Sequence, residues 1–354
     1  MNIEATTPKS WSLIELKHAL LFLRSLFMTG LSPAEALDEI AVLQPKRAEF
    51  WKAGAVHCRG GKPLHEYLHK RWPGNLVSPI QIAETSGRLD DVFAGMEKTL
   101  QQQIDTRKLL KKMIMPIAIA CGGVGAAIFF ISYVIPTMVG KLRFAREPAI
   151  ITFAKNAQIL VNDYGYYALG ALIVAVLVGL FKWREDEDFR SALLAKLDSV
   201  PVVGWATRWL WFSVWANYAA IMMRADIAIT DPMFRTTLTT LPPHLRPSIQ
   251  SVIVQIDRGQ SLSNAATPGK SSDDPRHQLP IHIRNAFRMT DRSGQGGKQF
   301  QLASQTLFEP GSEVLSVAIA TINQIMIVVS ATMILVPFAL YIKTIAGVTQ
   351  SLGH

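Results

Sequence analysis

What the chain lacks narrows its class before any motif is read. It has 354 residues and only two cysteines. Cys58 lies in polar sequence, Cys121 lies in apolar sequence and no C-x-x-C occurs, so the sequence offers no disulfide framework and its thiols are expected to stay reduced. Charge is scarce too: 18% of residues are charged against 49% hydrophobic. Three runs carry no charge at all, Met113–Gly140, Tyr164–Phe181 and Val314–Ile342. Each meets the roughly 18-residue requirement of a membrane-spanning helix. The first and third would be about 42 Å long as helices, against a hydrocarbon core of about 30 Å, so they should tilt, kink or extend beyond the bilayer. With no carboxylate or basic group inside any of the runs, a proton-coupled transporter is disfavoured. No stretch keeps a period-two alternation, so no sheet is expected. The opening MNIEATTPKSWSL lacks a charged-then-apolar signal pattern, and the expectation is a cytoplasmic N-terminal domain followed by internal anchors.

A basic tract is also missing. The net charge is +9, but before Met113 there are 16 basic residues against 12 acidic ones, and between Lys182 and Glu313 there are 15 against 13. Spread in this way, the charge does not point to nucleic acid. One cluster stands out, Arg107, Lys108, Lys111 and Lys112, directly before the first uncharged run. It reads as positive-inside flanking in contact with anionic lipid headgroups.

What is present is helical punctuation, twice over. Leu13, Leu16, Leu20, Leu23 and Phe27 mostly follow helical spacing, and Ser32, Pro33 and Glu35 form a capping box with proline at the first helical position. Gly87 is placed to close one helix, with Asp90 or Asp91 helping to begin the next, and Pro116 is placed to kink the helix that follows. The segment RGGKPLHEYL (59–68) aligns with DRGQSLSNAA (257–266), pairing Gly61 with Gly259 and Leu64 with Leu262. Upstream, 26–37 pairs more loosely with 222–234; downstream, Ser86-Gly87 pairs with Ser293-Gly294. The second repeat carries an additional stretch, TPGKSSDDPRHQLP (267–280), which reads as an exposed loop.

The boundaries follow: a helical domain at 1–112, a first span at 113–140, a periplasmic loop at 141–163, a second span at 164–181, a second helical domain repeating the first at 182–313, a third span at 314–342 and a short periplasmic tail at 343–354. Basic residues flanking the spans place both large domains in the cytoplasm. The fold class expected is an all-α integral membrane protein with two homologous cytoplasmic helical bundles and three transmembrane helices.

Four local features suggest particular roles. His65-Glu66-Tyr67-Leu68-His69 matches H-E-x-x-H, in which two histidines on one helix face hold Zn²⁺ and the glutamate serves as general base. Its context argues against a metalloprotease: the helix should run only two or three turns between Pro63 and Pro73, and the second repeat has Ser263, Asn264 and Thr267 at the matching places. The TPGKSS segment lacks the first glycine of a phosphate-binding loop, since Asn264 stands there. Trp183, Trp205, Trp209, Trp211 and Trp215 cluster near the second span and are expected to anchor at the membrane interface. Gly122, Gly123 and Gly125 line the first span, permitting close helix packing or contact with another protein's helix, and Asn323 and Gln324 in the third span are expected to face protein.

Taken in order, the stretch Gly30-Leu31-Ser32-Pro33-Ala34-Glu35-Ala36-Leu37, the helix start Gly61 to Leu64, and Glu84-Thr85-Ser86-Gly87-Arg88-Leu89 resemble the domain of the inner-membrane platform proteins of type II secretion and type IV pilus assembly. In the second repeat Gly259, Leu262, Ser293 and Gly294 follow the pattern, while Asp226 stands where glycine is usual and Asp291 where glutamate is. The short N-terminus and the divergent second repeat look more like the type IVb thin-pilus branch. The resemblance implies a six-helix bundle for each cytoplasmic domain, no enzymatic activity and no cofactor. The partners it implies are a cytoplasmic hexameric assembly ATPase, pilin or pseudopilin subunits, other inner-membrane assembly proteins and further copies of the chain in a homodimer or larger homo-oligomer. A bacterial inner-membrane location goes with it.

Overall fold

A computed structural model describes residues 11–87, 89–112, 114–139, 152–153, 155–165, 167, 178, 181–182, 195–196, 198 and 200–352. Helices, and no strands, are found among the described residues. The chain divides into two compact units: Met1–Lys108 with Ser191–Leu315, and Leu109–Arg190 with Ser316–His354.

In the first unit six helices follow one another: α1 (Leu13–Met28), α2 (Pro33–Leu43), α3 (Ala48–Arg59), α4 (Leu64–Leu68), α5 (Gly74–Ser86) and α6 (Leu89–Lys112). Ser12 and Glu15 make a capping box at α1, and Ser32 and Glu35 make another at α2 with Pro33 in the first turn, as the sequence signals require. Leu16, Ala19, Leu20 and Leu23 of α1 are buried, one face at i, i+3, i+4 and i+7. Gly87 ends α5 in the left-handed conformation. Helix α6 starts at Leu89, so Asp90 and Asp91 lie within its first turn instead of ahead of it.

The second repeat retraces this order with α9 (Val203–Arg224), α10 (Pro232–Arg235), α11 (Arg246–Asp257), α12 (Leu262–Ala265), α13 (Ile281–Ser293) and α14 (Gly296–Leu352), the labels α7 and α8 belonging to the apolar helices described below. The counterpart of α2 is broken into α10 and a 3-10 turn at Thr236–Thr240. Helix α9 has no polar stripe and is buried on nearly every side. Val214, Tyr218 and Ile221 join the first hydrophobic core beside Leu20, Trp51, Ile80 and Phe93. Trp215, Ala219 and Met222, one position further round, join the second core with Phe234, Ile249, Phe287 and Phe300. One helix thus serves two cores, and Asn217 donates from Nδ2 to Gln102 Oε1 of α6 at 2.7 Å in the seam between the repeats.

The tryptophan cluster therefore has a different role from the membrane anchoring expected of it. Trp215 is fully buried with its ring 5.7 Å from Phe300, and Trp209 and Trp211 pack on the same core. Trp205 remains exposed against Trp209, and Trp183 lies outside the described residues. The i, i+4 spacing of Trp211 and Trp215 on an all-apolar helix favours burial in protein as readily as burial in lipid, and tertiary packing decides between them. The 267–280 stretch is likewise more ordered than a plain exposed loop. Asp274 accepts from Gly269 N at 2.6 Å, from Arg276 N at 2.9 Å and from the Arg276 guanidinium, while Arg276 Nη1 donates to Ala265 O at 3.1 Å.

In the second unit α7 (Ile114–Phe129) passes through a wider π-helical turn at Phe130–Val134 into α8 (Ile135–Val139). The turn precedes Pro136, which has no N–H to return to the carbonyl one turn back. Ile119–Thr137 and Gly296–Val336 are long and apolar enough to cross a membrane. Only 6% of the most apolar window in α14 is buried, so among the described residues its apolar surface is left largely uncovered. Helix α14 stays helical to Leu352, well past the expected limit of the third span at residue 342. The second span at 164–181 and the start of the second domain lie largely outside the described residues, as does most of the expected periplasmic loop.

Candidate functional site

The residues shared by the two repeats are backbone devices. Gly30, Gly61 and Gly87 have φ of 80°, 75° and 70°, and Gly259 and Gly294 have 85° and 67°. Asp226, opposite Gly30, holds φ of 59° although it is not glycine. Aspartate is among the few side chains that tolerate this region.

Glu84 has the most defined position. Helix α4 begins after Pro63, which has no side chain able to cap it. Glu84 reaches back from α5 to accept from Leu64 N at 2.7 Å and His65 N at 3.0 Å, and His65 Nδ1 lies 2.6 Å from its Oε2. The carboxylate thereby satisfies two N–H groups that the first turn leaves unpaired. In the second repeat Ser261 caps α12 itself, accepting from Asn264 N, and Asp291, the counterpart of Glu84, is exposed. The sequence singled out Glu84 without revealing this contact. A helix start on proline with no local acceptor was the available signal.

The H-E-x-x-H segment takes its place in that arrangement. Its helix is five residues long, shorter than the two or three turns expected, and His65 is engaged by Glu84. Glu66 lies 4.0 Å from His57. Among the described residues no three His, Cys, Asp or Glu side chains gather as a metal ion would require. The protease alternative is not supported. Nearby, burial first and then the Glu84 charge push the Cys58 thiol up to about 11, far from the range of a reactive cysteine. Burial also raises the Tyr67 phenol, whose hydroxyl donates to Phe50 O at 2.5 Å.

The three glycines of the first span separate. A Cβ at Gly123 would overlap Ser330 of α14, so this glycine permits two apolar helices to meet closely; Gly122 and Gly125 face open space. Ser330 Oγ lies 3.4 Å from Ile119 O at the same contact. The basic cluster separates as well. Lys108 pairs with Asp105 at 3.7 Å, and Arg107 also has a partner, whereas Lys111 and Lys112 are exposed.

A groove of about 550 Å³ in the first unit is lined by α1, α6 and α14, with Lys17, Arg24, Glu97, Asp105 and Glu309 among its residues. Arg24 pairs with Glu97 at 3.3 Å, and Lys17 donates to Gln101 at 2.7 Å. Both signs of charge are present and partly paired, a pattern unlike that of a small-anion site. Sequence spacing did not single out this groove, because its walls are far apart in the chain.

Residues 19–136 match the family model described as Type II secretion system (T2SS), protein F. The chain is also 25% identical over 192 residues to the Type II secretion system protein F of Vibrio cholerae serotype O1, a match covering 53% of this chain and 47% of that protein. It thus spans about half the length of that relative. No solved structure matches the chain. The matched stretch runs from α1 into the first apolar helix, and the family it matches is the one that the motif order resembles.

Proposed function

We propose that this chain is a non-enzymatic platform in a bacterial inner membrane, coupling a cytoplasmic hexameric ATPase to the insertion of pilin or pseudopilin subunits during type IV pilus assembly or type II secretion. In this reading both repeats face the cytoplasm, three helices cross the bilayer, and the chain works as a homodimer or larger homo-oligomer with other inner-membrane assembly proteins. The observation that carries it is the duplicated six-helix order, with left-handed turns at matching places, on a chain whose first repeat matches the F family. The exposed apolar stretch of α14 supports the membrane placement.

The test is complementation of a strain deleted for the gene, scored for surface filaments and for protein export. Wild type and Glu66→Gln are expected to restore the deficient process equally. Restoration by wild type alone, with Glu66→Gln stably present in the membrane, would return the catalytic reading. A deletion that disturbs neither filaments nor export would remove the platform role.

A further inference from the structure

The second unit contains a cleft of about 790 Å³. Its size falls within the roughly 300–1,000 Å³ of pockets that hold small molecules. One wall is Lys111, Lys112, Met115 and Pro116; the other is Ser316, Ile319, Ala320 and Asn323. The second set is spaced i, i+3, i+4, i+7, a single face of α14, and the first occupies one side of the segment leading into α7. The cleft is therefore built from two helical faces, apolar along most of its length and basic at one end. Lys111 and Lys112 have no carboxylate partner among the described residues, unlike Lys108 beside them. Asn323 leaves its Oδ1 buried and unpartnered.

We propose that this cleft is a discrete binding site for one anionic phospholipid. The phosphate sits between the ammonium groups of Lys111 and Lys112, and an acyl chain lies along Met115, Pro116, Ile319 and Ala320. Charge complementarity selects this occupant. A purely apolar helix from a partner would leave the two lysines without a counter-charge, and a free phosphate would leave the apolar walls uncovered. The inference rests on the membrane placement proposed above, not on the pilus or secretion machinery. It differs from general attraction to a charged leaflet, because it requires the cleft as well as the charge.

The test uses the full-length chain in detergent, with lipid retention read by native mass spectrometry. Phosphatidylglycerol and phosphatidylcholine with identical chains are titrated separately, and glycerophosphoglycerol, which has no acyl chains, is offered as competitor. Each lysine near a lipid phosphate contributes roughly fivefold, so phosphatidylglycerol should be favoured about thirtyfold. Replacing Lys111→Ala and Lys112→Ala together should bring the two lipids to near parity, while Lys111→Arg with Lys112→Arg should keep most of the preference. Ala320→Trp, which fills the cleft without changing charge, should lower phosphatidylglycerol retention several-fold, and the acyl-free competitor should fail to displace the lipid. Equal retention of both lipids by wild type would overturn the site. So would a preference that Ala320→Trp leaves intact, or lipid displaced by an apolar helical peptide regardless of the lysines. Helical content by circular dichroism identifies any variant that fails to fold, and the arginine pair then stands in for it. Carbonate washing of membranes separately tests the placement: a chain washed out would refute the membrane reading itself.

Discussion

At Gly30, Gly61 and Gly87 the first repeat turns left-handed on glycine; at the matching places the second repeat has Asp226, Gly259 and Gly294. The helix that follows Gly61 is capped from a distance by Glu84, whereas the helix that follows Gly259 is capped by its own Ser261. The second repeat adds a loop pinned by Asp274 and Arg276, for which the first has no equivalent. The two repeats hold a common backbone path while differing in the side chains that stabilise it. What is constrained is the set of φ angles and the pairing of helix-terminal N–H groups, both of which can be met by more than one chemistry.

The sharpest way to break this comparison is Glu84→Ala. It removes a carboxylate from two backbone donors and from His65, and should destabilise the first repeat by about 3 kcal/mol. Asp291→Ala, at the exposed counterpart, should change stability by less than about 0.5 kcal/mol. Chemical denaturation of the full chain in detergent measures both, and equal effects would mean that the repeats are capped alike after all.

A second difference is read in acid. The Arg276 side chain does most to hold the Asp274 carboxyl well below its ordinary value of 3.8; burial opposes it, and the Gly269 and Arg276 N–H groups add to the lowering. A depressed carboxylate contributes stability that is fully present above the unfolded value and is lost as pH falls toward the folded one. Stability should therefore decline below about pH 4 with a contribution of up to one proton from this residue, and Asp274→Asn should remove that contribution. Thermal melts at stepped pH provide the measurement; an unchanged acid slope would show the pin to be unimportant.

The smallest effects come from the left-handed positions. Gly30→Ala should cost about 1 kcal/mol, since φ of 80° is unfavourable for a side chain although nothing crowds it. The reciprocal Asp226→Gly should leave stability within about 0.5 kcal/mol of wild type, because aspartate tolerates the region better than most residues. If Asp226→Gly were as damaging as Gly30→Ala, the aspartate would have a role beyond conformation.

Much of this was legible in sequence because it is local. The capping boxes at Ser32 and Gly87's role as a helix stop depend on residues a few positions apart. The repeat was visible through its glycines, and the uncharged runs through composition. The contacts made by Glu84, the seam between Asn217 and Gln102, and the burial of Trp215 were not legible, since each depends on which distant helices pack together. The tryptophans show the difficulty well: an indole on an apolar helix favours leaving water, and sequence does not say whether protein or lipid receives it.

By itself, then, the sequence determined the helical class and pointed to the doubled pattern and the family resemblance, because periodicity, turn chemistry and motif order are written in neighbouring residues. Tertiary structure alone decided that α9 feeds two cores, that Glu84 closes the start of α4, and that Gly123 meets Ser330 while Gly122 stays open. These outcomes depend on groups separated by tens to hundreds of residues. Only the packed chain brings them within the few ångströms over which hydrogen bonds and van der Waals contacts act.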